Sequence, residues 1–298
     1  MGFDEHQFVD PSILILPDKT VRDTLVRSID NAAERVWIEI YTWTDKVLVD
    51  AVIRAHKRGV DVKIILEPNV YGTPTINKNV YKSLEEHDIA VSYADTYRYV
   101  FTHAKFAIID NRYFISTGNF TQSFFTKNRD FIVSDTGDGI VSFLSSIFLR
   151  DFDHLGTKDL ESIPDNLVIS PIDSRDKIYA LLKEAKTRII IYTQTLQDSE
   201  ILTILSQAQE NNIHVEICSA KNETNSQNKN MGGFEWNTIT KPYLHAKVIF
   251  IDEESVFIGS QNLTTNSLDN NREIGIIIRS NPLIFMNLIR KYREDCKK

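Results

Sequence analysis

At 298 residues with 42% hydrophobic content, the chain is long enough to bury a large core, which excludes a disordered or fibrous protein. Its formal net charge of -7 is spread over both halves, so neither a basic tail for nucleic acid nor an acidic tail stands out. No apolar run approaches the roughly 20 residues of a membrane span, and no basic-then-apolar leader opens the chain, so the sequence reads as cytoplasmic or otherwise soluble.

In chain order, a short strand at 13–16 precedes a helix capped by Thr20, with Val21, Leu25 and Ile29 at helical spacing. A strand at 36–42, a helix over 47–57, a stop at Gly59 and a strand at 60–66 complete a βαβαβ order. An insertion at 68–94 carries a helix around 80–87. The stretch 152–166 mixes Gly, Pro and charge without a period and reads as a linker. Strand 167–169, helix 176–185, strand 188–193, helix 200–210 and strand 213–218 then repeat the first order, followed by a polar, aromatic-bearing loop at 219–242. The expectation is an α/β protein of two duplicated βαβ-type halves related by a pseudo-twofold, each a mixed, mostly parallel sheet flanked by helices. The halves would be 1–151 and 167–298, joined by 152–166.

Sequence identities support the duplication. Ile40 to Thr44 matches Ile191 to Thr195, Arg58 to Val62 matches Asn211 to Val215, and Asn128-Arg129-Asp130 matches Asn271-Arg272-Glu273. This period is far too long for a solenoid. Most telling, His103-Ala104-Lys105 with Asp110 and Asn119 recurs as His245-Ala246-Lys247 with Asp252 and Asn262. Strand alternation puts each His and Lys on one face with Ala on the other. Two such sets facing one another would surround a phosphate with two imidazoles, two ammoniums and two amides, which suits phosphoryl transfer.

Cys218 and Cys296 lie far apart and lack His companions, so they are expected as free thiols rather than a zinc or redox motif. His6, His56, His87, His154 and His214 lack the motif context and are expected on the surface or in packing. Asp110 and Asp252, at strand ends, suit a turn or ion-pair role better than catalysis.

The two HxKx4D patterns, HAKFAIID and HAKVIFID, with Gly259-Ser260-Gln261-Asn262 trailing the second, resemble the phospholipase D superfamily over almost the whole chain. The first copy departs by having Ser116-Thr117-Gly118-Asn119, one residue sooner after its Asp, with Thr117 keeping the hydroxyl of Ser260. The resemblance implies a phosphodiester reaction through a phosphohistidine, with no cofactor or metal, and with both motifs in one chain so that a monomer suffices. By analogy His103 is the nucleophile and His245 the general acid. An acidic residue downstream of the Asn orients the motif His, and Asp130 and Glu273, each eleven residues on, are the matching positions.

The substrate is a phosphodiester of either nucleic acid or phospholipid. The tail Gly118 to Asn128 is similar to small bacterial endonucleases of the family, so single-stranded DNA or RNA is placed first. Lys127, Arg129, Lys221, Lys241 and Arg272 are then expected as rim cations. A phospholipase D or phosphatidyltransferase of the cardiolipin-synthase kind is the alternative, with Phe234 and Trp236 meeting acyl chains. A catalytically silent phosphate-binding scaffold is a third reading.

Overall fold

The computed structural model describes residues 11–157, 160, 162–229 and 233–297. Asp side chains cap three of the helices. In the first half, β1 (Ser12–Leu16) leads to α1 (Lys19–Asn31), where Asp18 rather than Thr20 is the cap and accepts from the Thr20 N–H. Its Val21, Leu25 and Ile29 are buried. Then follow β2 (Arg35–Ile40), α2 (Lys46–Lys57) capped by Asp45, β3 (Asp61–Leu66), α3 (Lys78–Glu85) and β4 (Ala90–Tyr93). The half closes with β5 (Lys105–Ile109), β6 (Arg112–Ser116), α4 (Gln122–Thr126), β7 (Asn128–Asp135) and α5 (Asp138–Phe152).

The second half repeats this as β8 (Leu167–Ser170), α6 (Ser174–Lys183), β9 (Arg188–Thr193), α7 (Ser199–Glu210) capped by Asp198, and β10 (His214–Ala220). It continues through α8 (Glu223–Lys229), β11 (Glu235–Ile239), the two-residue β12 (Tyr243–Leu244) and β13 (Lys247–Ile251). Last come β14 (Ser255–Gly259), α9 (Thr265–Asp269), β15 (Glu273–Arg279) and α10 (Pro282–Cys296).

The first sheet runs β1-β7-β6-β5-β2-β3-β4 and the second β8-β15-β14-β13-β9-β10-β11, the same order. Both are mixed, but not mostly parallel. Within each half, the parallel pairs are those of β2·β3·β4 and β9·β10·β11, whose neighbouring strands are joined through helices, whereas β5 to β7 and β13 to β15 are antiparallel. The 219–242 segment expected as a loop folds as α8 and β11, the counterpart of α3 and β4, so the halves match there as well. The identity drawn between Ile40 to Thr44 and Ile191 to Thr195 is out by two residues. Ile40 pairs with Lys105 and Thr193 with Lys247, which makes Tyr41 the counterpart of Gln194.

The inner faces of both sheets, with α5 and α10, form one core that includes Phe106, Ile108, Phe148, Val248, Phe250 and Leu288, while α1 to α3 and α6 to α7 cover separate cores on the outer faces. Phe234 and Trp236 belong to the outer core of the second half, 8% and 3% exposed, and are therefore not available to a substrate. Cys218 and Cys296 are not free thiols. They form a disulfide that ties the last turn of α10 to β10 across 78 residues of sequence, a separation at which spacing carries no signal.

Candidate active site

Each motif His sits just before a central strand, and its backbone N–H is hydrogen-bonded to the other half. The His103 N–H donates to the Arg272 carbonyl at 2.8 Å, and the Val100 N–H to Asn270 at 3.0 Å. In mirror fashion the His245 N–H donates to the Arg129 carbonyl at 3.1 Å and Tyr243 N–H to Lys127 at 3.2 Å, so β12 becomes an added strand beside β7. The acid next to each of those arginines completes the exchange. Glu273 Oε2 lies 2.7 Å from His103 Nδ1, and Asp130 Oδ1 lies 2.9 Å from His245 Nδ1. Each half thus orients the other half's imidazole, leaving Nε2 as the free ring nitrogen.

The hydroxyls singled out from the motif stand behind these acids. Thr117 Oγ1 donates to Asp130 Oδ1 at 2.6 Å and accepts from the Phe131 N–H at 3.0 Å. Ser260 Oγ accepts from the Ile274 N–H at 3.1 Å and helps hold Glu273 ionised. Gly118 makes the close approach possible, because a Cβ there would fall 2.5 Å from Asp130 Oδ2 and 2.4 Å from the Phe124 ring. Asn119 and Asn262 follow on the same loops. The Oδ1 of each is buried with no hydrogen-bond partner among the described residues.

Lys105 and Lys247 are buried, at 0% and 1% exposure. Lys105 Nζ donates to the His103 carbonyl at 2.6 Å, and Lys247 Nζ to the His245 carbonyl at 2.5 Å and the Thr117 carbonyl at 3.3 Å. Burial pushes both ammoniums down, Lys105 well below the lysine range and Lys247 to about 8, while Asp130 and Glu273 oppose the shift. Burial likewise drives His103 down to about 4 against the pull of Glu273, and lowers His245, with Lys247 adding to the effect. Burial alone would raise Glu273, but His103 and Lys105 hold it below the usual carboxylate range. Each lysine also depresses the His of the other motif, so the two motifs form one electrostatic site.

Several expected residues lie elsewhere. Asp110 and Asp252 occupy turns at φ 52° at the far ends of β5 and β13, five-residue strands about 17 Å long that begin at the motif lysines. Asp110 accepts from the N–H groups of Ala33, Glu34 and Arg35, and Asp252 from those of Lys186, Thr187 and Arg188. Arg129 and Arg272 are not rim cations. Arg129 is 7% exposed and bonds Asp295 of α10 at 2.6 Å, and Arg272, at 0%, bonds Asp151 of α5 at 2.9 Å. Each fastens the other half's last helix. Lys127, Lys221 and Lys241 are exposed.

Sequence reasoning missed other neighbours of the histidines. Tyr41 packs edge-on to His103 with centroids 4.6 Å apart. Glu67, 1% exposed, accepts the Thr102 N–H at 2.7 Å, and Asn271 Nδ2 donates to Glu273 Oε1 at 3.1 Å. Around His245 stand Tyr243, at 6.4 Å between centroids, and Gln194, whose Nε2 donates to the Tyr243 hydroxyl at 3.1 Å. Aligning the helix caps Asp45 and Asp198 would have given the right register and exposed the Tyr41–Gln194 difference.

A metal-type cluster, also missed, lies at the opposite end of the second sheet. Ligand atoms of His214, Glu216 and Glu235 come within 4.8 Å of one another. Glu216 is already satisfied there by Lys297 at 2.8 Å and Tyr292 at 3.0 Å. No helix among the described residues is long and apolar enough to cross a membrane.

A family model described as "Cardiolipin synthase, PLD-like domain" matches residues 25–152 and again 178–297. No curated protein matches the chain. Among solved structures, phosphatidylserine synthase of Haemophilus influenzae Rd KW20 is 13% identical over 94% of this chain and 85% of its own, at a TM-score of 0.73. Polyphosphate kinase from Porphyromonas gingivalis is 16% identical over 94% of this chain at a TM-score of 0.72, and this chain spans only 49% of it. Nuc, a phospholipase D family member from Salmonella typhimurium, is 22% identical over 48% of this chain and 95% of its own, at a TM-score of 0.44. At these identities the likeness is one of fold.

Proposed function

Because the chain belongs to the family of PLD-like domains named for cardiolipin synthase, we propose that it cleaves or transfers a phosphodiester through a phosphohistidine on His103. The observation that carries this reading is the crossed pair His103–Glu273 and His245–Asp130, with both Nδ1 atoms occupied and both Nε2 atoms free. Neutral His103 attacks phosphorus through Nε2, and the leaving oxygen takes the Nε2 proton of His245 as its bond to phosphorus breaks. Water or an alcohol then gives its proton to His245 Nε2 and attacks phosphorus, and the P–N bond breaks. Lys105, Lys247 and the amides of Asn119 and Asn262 bind the phosphoryl oxygens. An anionic diester entering this site favours the imidazolium form of His245, which the empty site disfavours.

For the substrate we infer a phospholipid headgroup diester ahead of nucleic acid. Arg129 and Arg272 are locked in buried ion pairs, which removes two of five cations available to a nucleic-acid backbone. Val100, three residues before His103, and Ile172, two residues past the Ser170 that pairs with Glu273, are exposed at 51% and 39%, and their side chains suit an interface and cannot stack on bases. Nucleic acid keeps one observation in its favour, the exposed Lys127, Lys221 and Lys241 near Tyr243.

Three substrates separate the readings: phosphatidylglycerol vesicles with ethanol, a single-stranded oligonucleotide, and bis(p-nitrophenyl) phosphate. The expected result is phosphatidylethanol from vesicles and nitrophenolate from the chromogenic diester, both lost in His103→Asn. His245→Asn should recover more activity on the nitrophenyl ester than on lipid, since nitrophenolate leaves without an acid. Oligonucleotide cleavage without lipid turnover restores nucleic acid to first place. Failure on all three, with phosphate binding retained, leaves the scaffold.

A further inference from the structure

The two half-sites share His, Lys, Asn and an acid, but their walls differ. Ile40 pairs with Lys105 on one side and Thr193 with Lys247 on the other, so the next residues, Tyr41 and Gln194, occupy equivalent positions. Tyr41 meets the His103 ring at 4.6 Å and 71°, and the Lys105 ammonium sits 5.1 Å from the Tyr41 ring centroid. Its own ring is fixed from two sides. Phe101 packs on it at 5.9 Å, and its hydroxyl accepts the Tyr71 N–H at 2.7 Å. Gln194 instead turns to the Tyr243 hydroxyl, and Lys247 Nζ comes 3.4 Å from His245 Nδ1.

We propose that Tyr41 is the positioning residue that makes His103, rather than its near-twin His245, the nucleophile. A nucleophilic imidazole must be neutral and held still. An aromatic wall excludes water from one flank of His103 while Glu273 anchors Nδ1, so Nε2 is presented without a proton in one orientation. The same ring draws the Lys105 ammonium toward its face. His245 has no counterpart of this edge-on ring: the ring nearest it, Tyr243, is tilted at 34° with centroids 6.4 Å away, and the Lys247 ammonium stands 3.4 Å from its Nδ1. The charged groups facing His103 are Glu273 from β15, Lys105 from its own strand and Lys247 from β13.

This inference rests on the phosphohistidine reading, and single-turnover kinetics with bis(p-nitrophenyl) phosphate tests the two apart. Nitrophenolate burst rate, alkali-stable phosphoryl label on the protein and the acid limb of kcat/KM are measured for wild type, Tyr41→Phe and Tyr41→Gln. The Gln variant copies the second half-site. Tyr41→Gln is expected to slow the burst about 30-fold with KM little changed, and to move the acid limb up by about one pH unit as water reaches His103. Tyr41→Phe keeps the ring and should stay within about 5-fold of wild type, which separates positioning from folding. A burst and acid limb in Tyr41→Gln equal to wild type would overturn the proposal while wild-type labelling still upheld the phosphohistidine. A wild type that turns over diester without protein label would overturn both.

Discussion

At the scale of residues, the histidines report on the acid they oppose and the solvent they lack. His103, lowered to about 4, stays neutral down to that pH, whereas His245, also lowered, must be protonated to act as an acid. Under the proposed mechanism activity needs one ring neutral and the other charged. The expected kcat/KM profile on the chromogenic diester is a bell with its optimum on the acidic side of about 6.5, the ordinary imidazole value. An alkaline optimum above 8 would contradict the assignment. Stability follows the same sign, because unfolding lets His103 take up a proton below about 6.5. The stabilisation is present above that pH and fades as pH falls through about 4, a trend that calorimetry between pH 7.5 and 4 should register.

Much of this site was legible in the chain, because His, Lys, Asn and the downstream acid recur at nearly fixed spacing. The crossing was not, since no spacing within one half reveals that Glu273 serves His103. Arg129 and Arg272 misled for the same reason, their partners Asp295 and Asp151 lying 166 and 121 residues away. Tyr41 went unread because a two-residue slip in the repeat hid its counterpart.

Elements repeat that lesson. The periodic helices α1, α2 and α7 and the apolar strands stood out in the sequence, as did the α/β duplication. The short α8 and the edge strand β11 did not, because polar Glu223 to Lys229 lacks an amphipathic period. The last turn of α10 carries Asp295, which holds Arg129 and the Tyr192 hydroxyl, and Cys296, which is bonded to Cys218. Closing a loop across 78 residues constrains the unfolded chain by about 4 kcal/mol in the chain-entropy account. Urea unfolding with and without a strong reductant should show a midpoint loss of that order, and mass spectrometry of the oxidised protein should lack free thiols. An equal midpoint in both states would mean that the bond contributes nothing. Such bonds persist in oxidising surroundings.

At the scale of the whole molecule, the halves are held by paired strands, a shared core and two arginine clasps in addition to the covalent connection at 153–166. Inserting a protease site there and cutting it should leave turnover within about 3-fold of the intact chain, since the ends are already docked. Loss of activity with the halves still co-migrating would show that the connection itself tunes the site. Full activity after dialysis against a strong chelator is expected as well, because the phosphoryl groups are met by Lys105, Lys247 and amides. Loss in EDTA, restored by a divalent ion, would require a different mechanism.

The strand exchange that places Glu273 on His103 and Asp130 on His245 also constrains ancestry. A lone half carries an imidazole without its acid and an acid without its imidazole, so a single-copy forebear with this geometry worked only as a twofold pair. In such a pair every substitution appears twice, and Tyr41 facing one ring entails tyrosine facing both. Joining the copies in one polypeptide lifted that symmetry. From then on one copy could keep an aromatic wall while the other took glutamine, and two identical proton carriers could divide their labour.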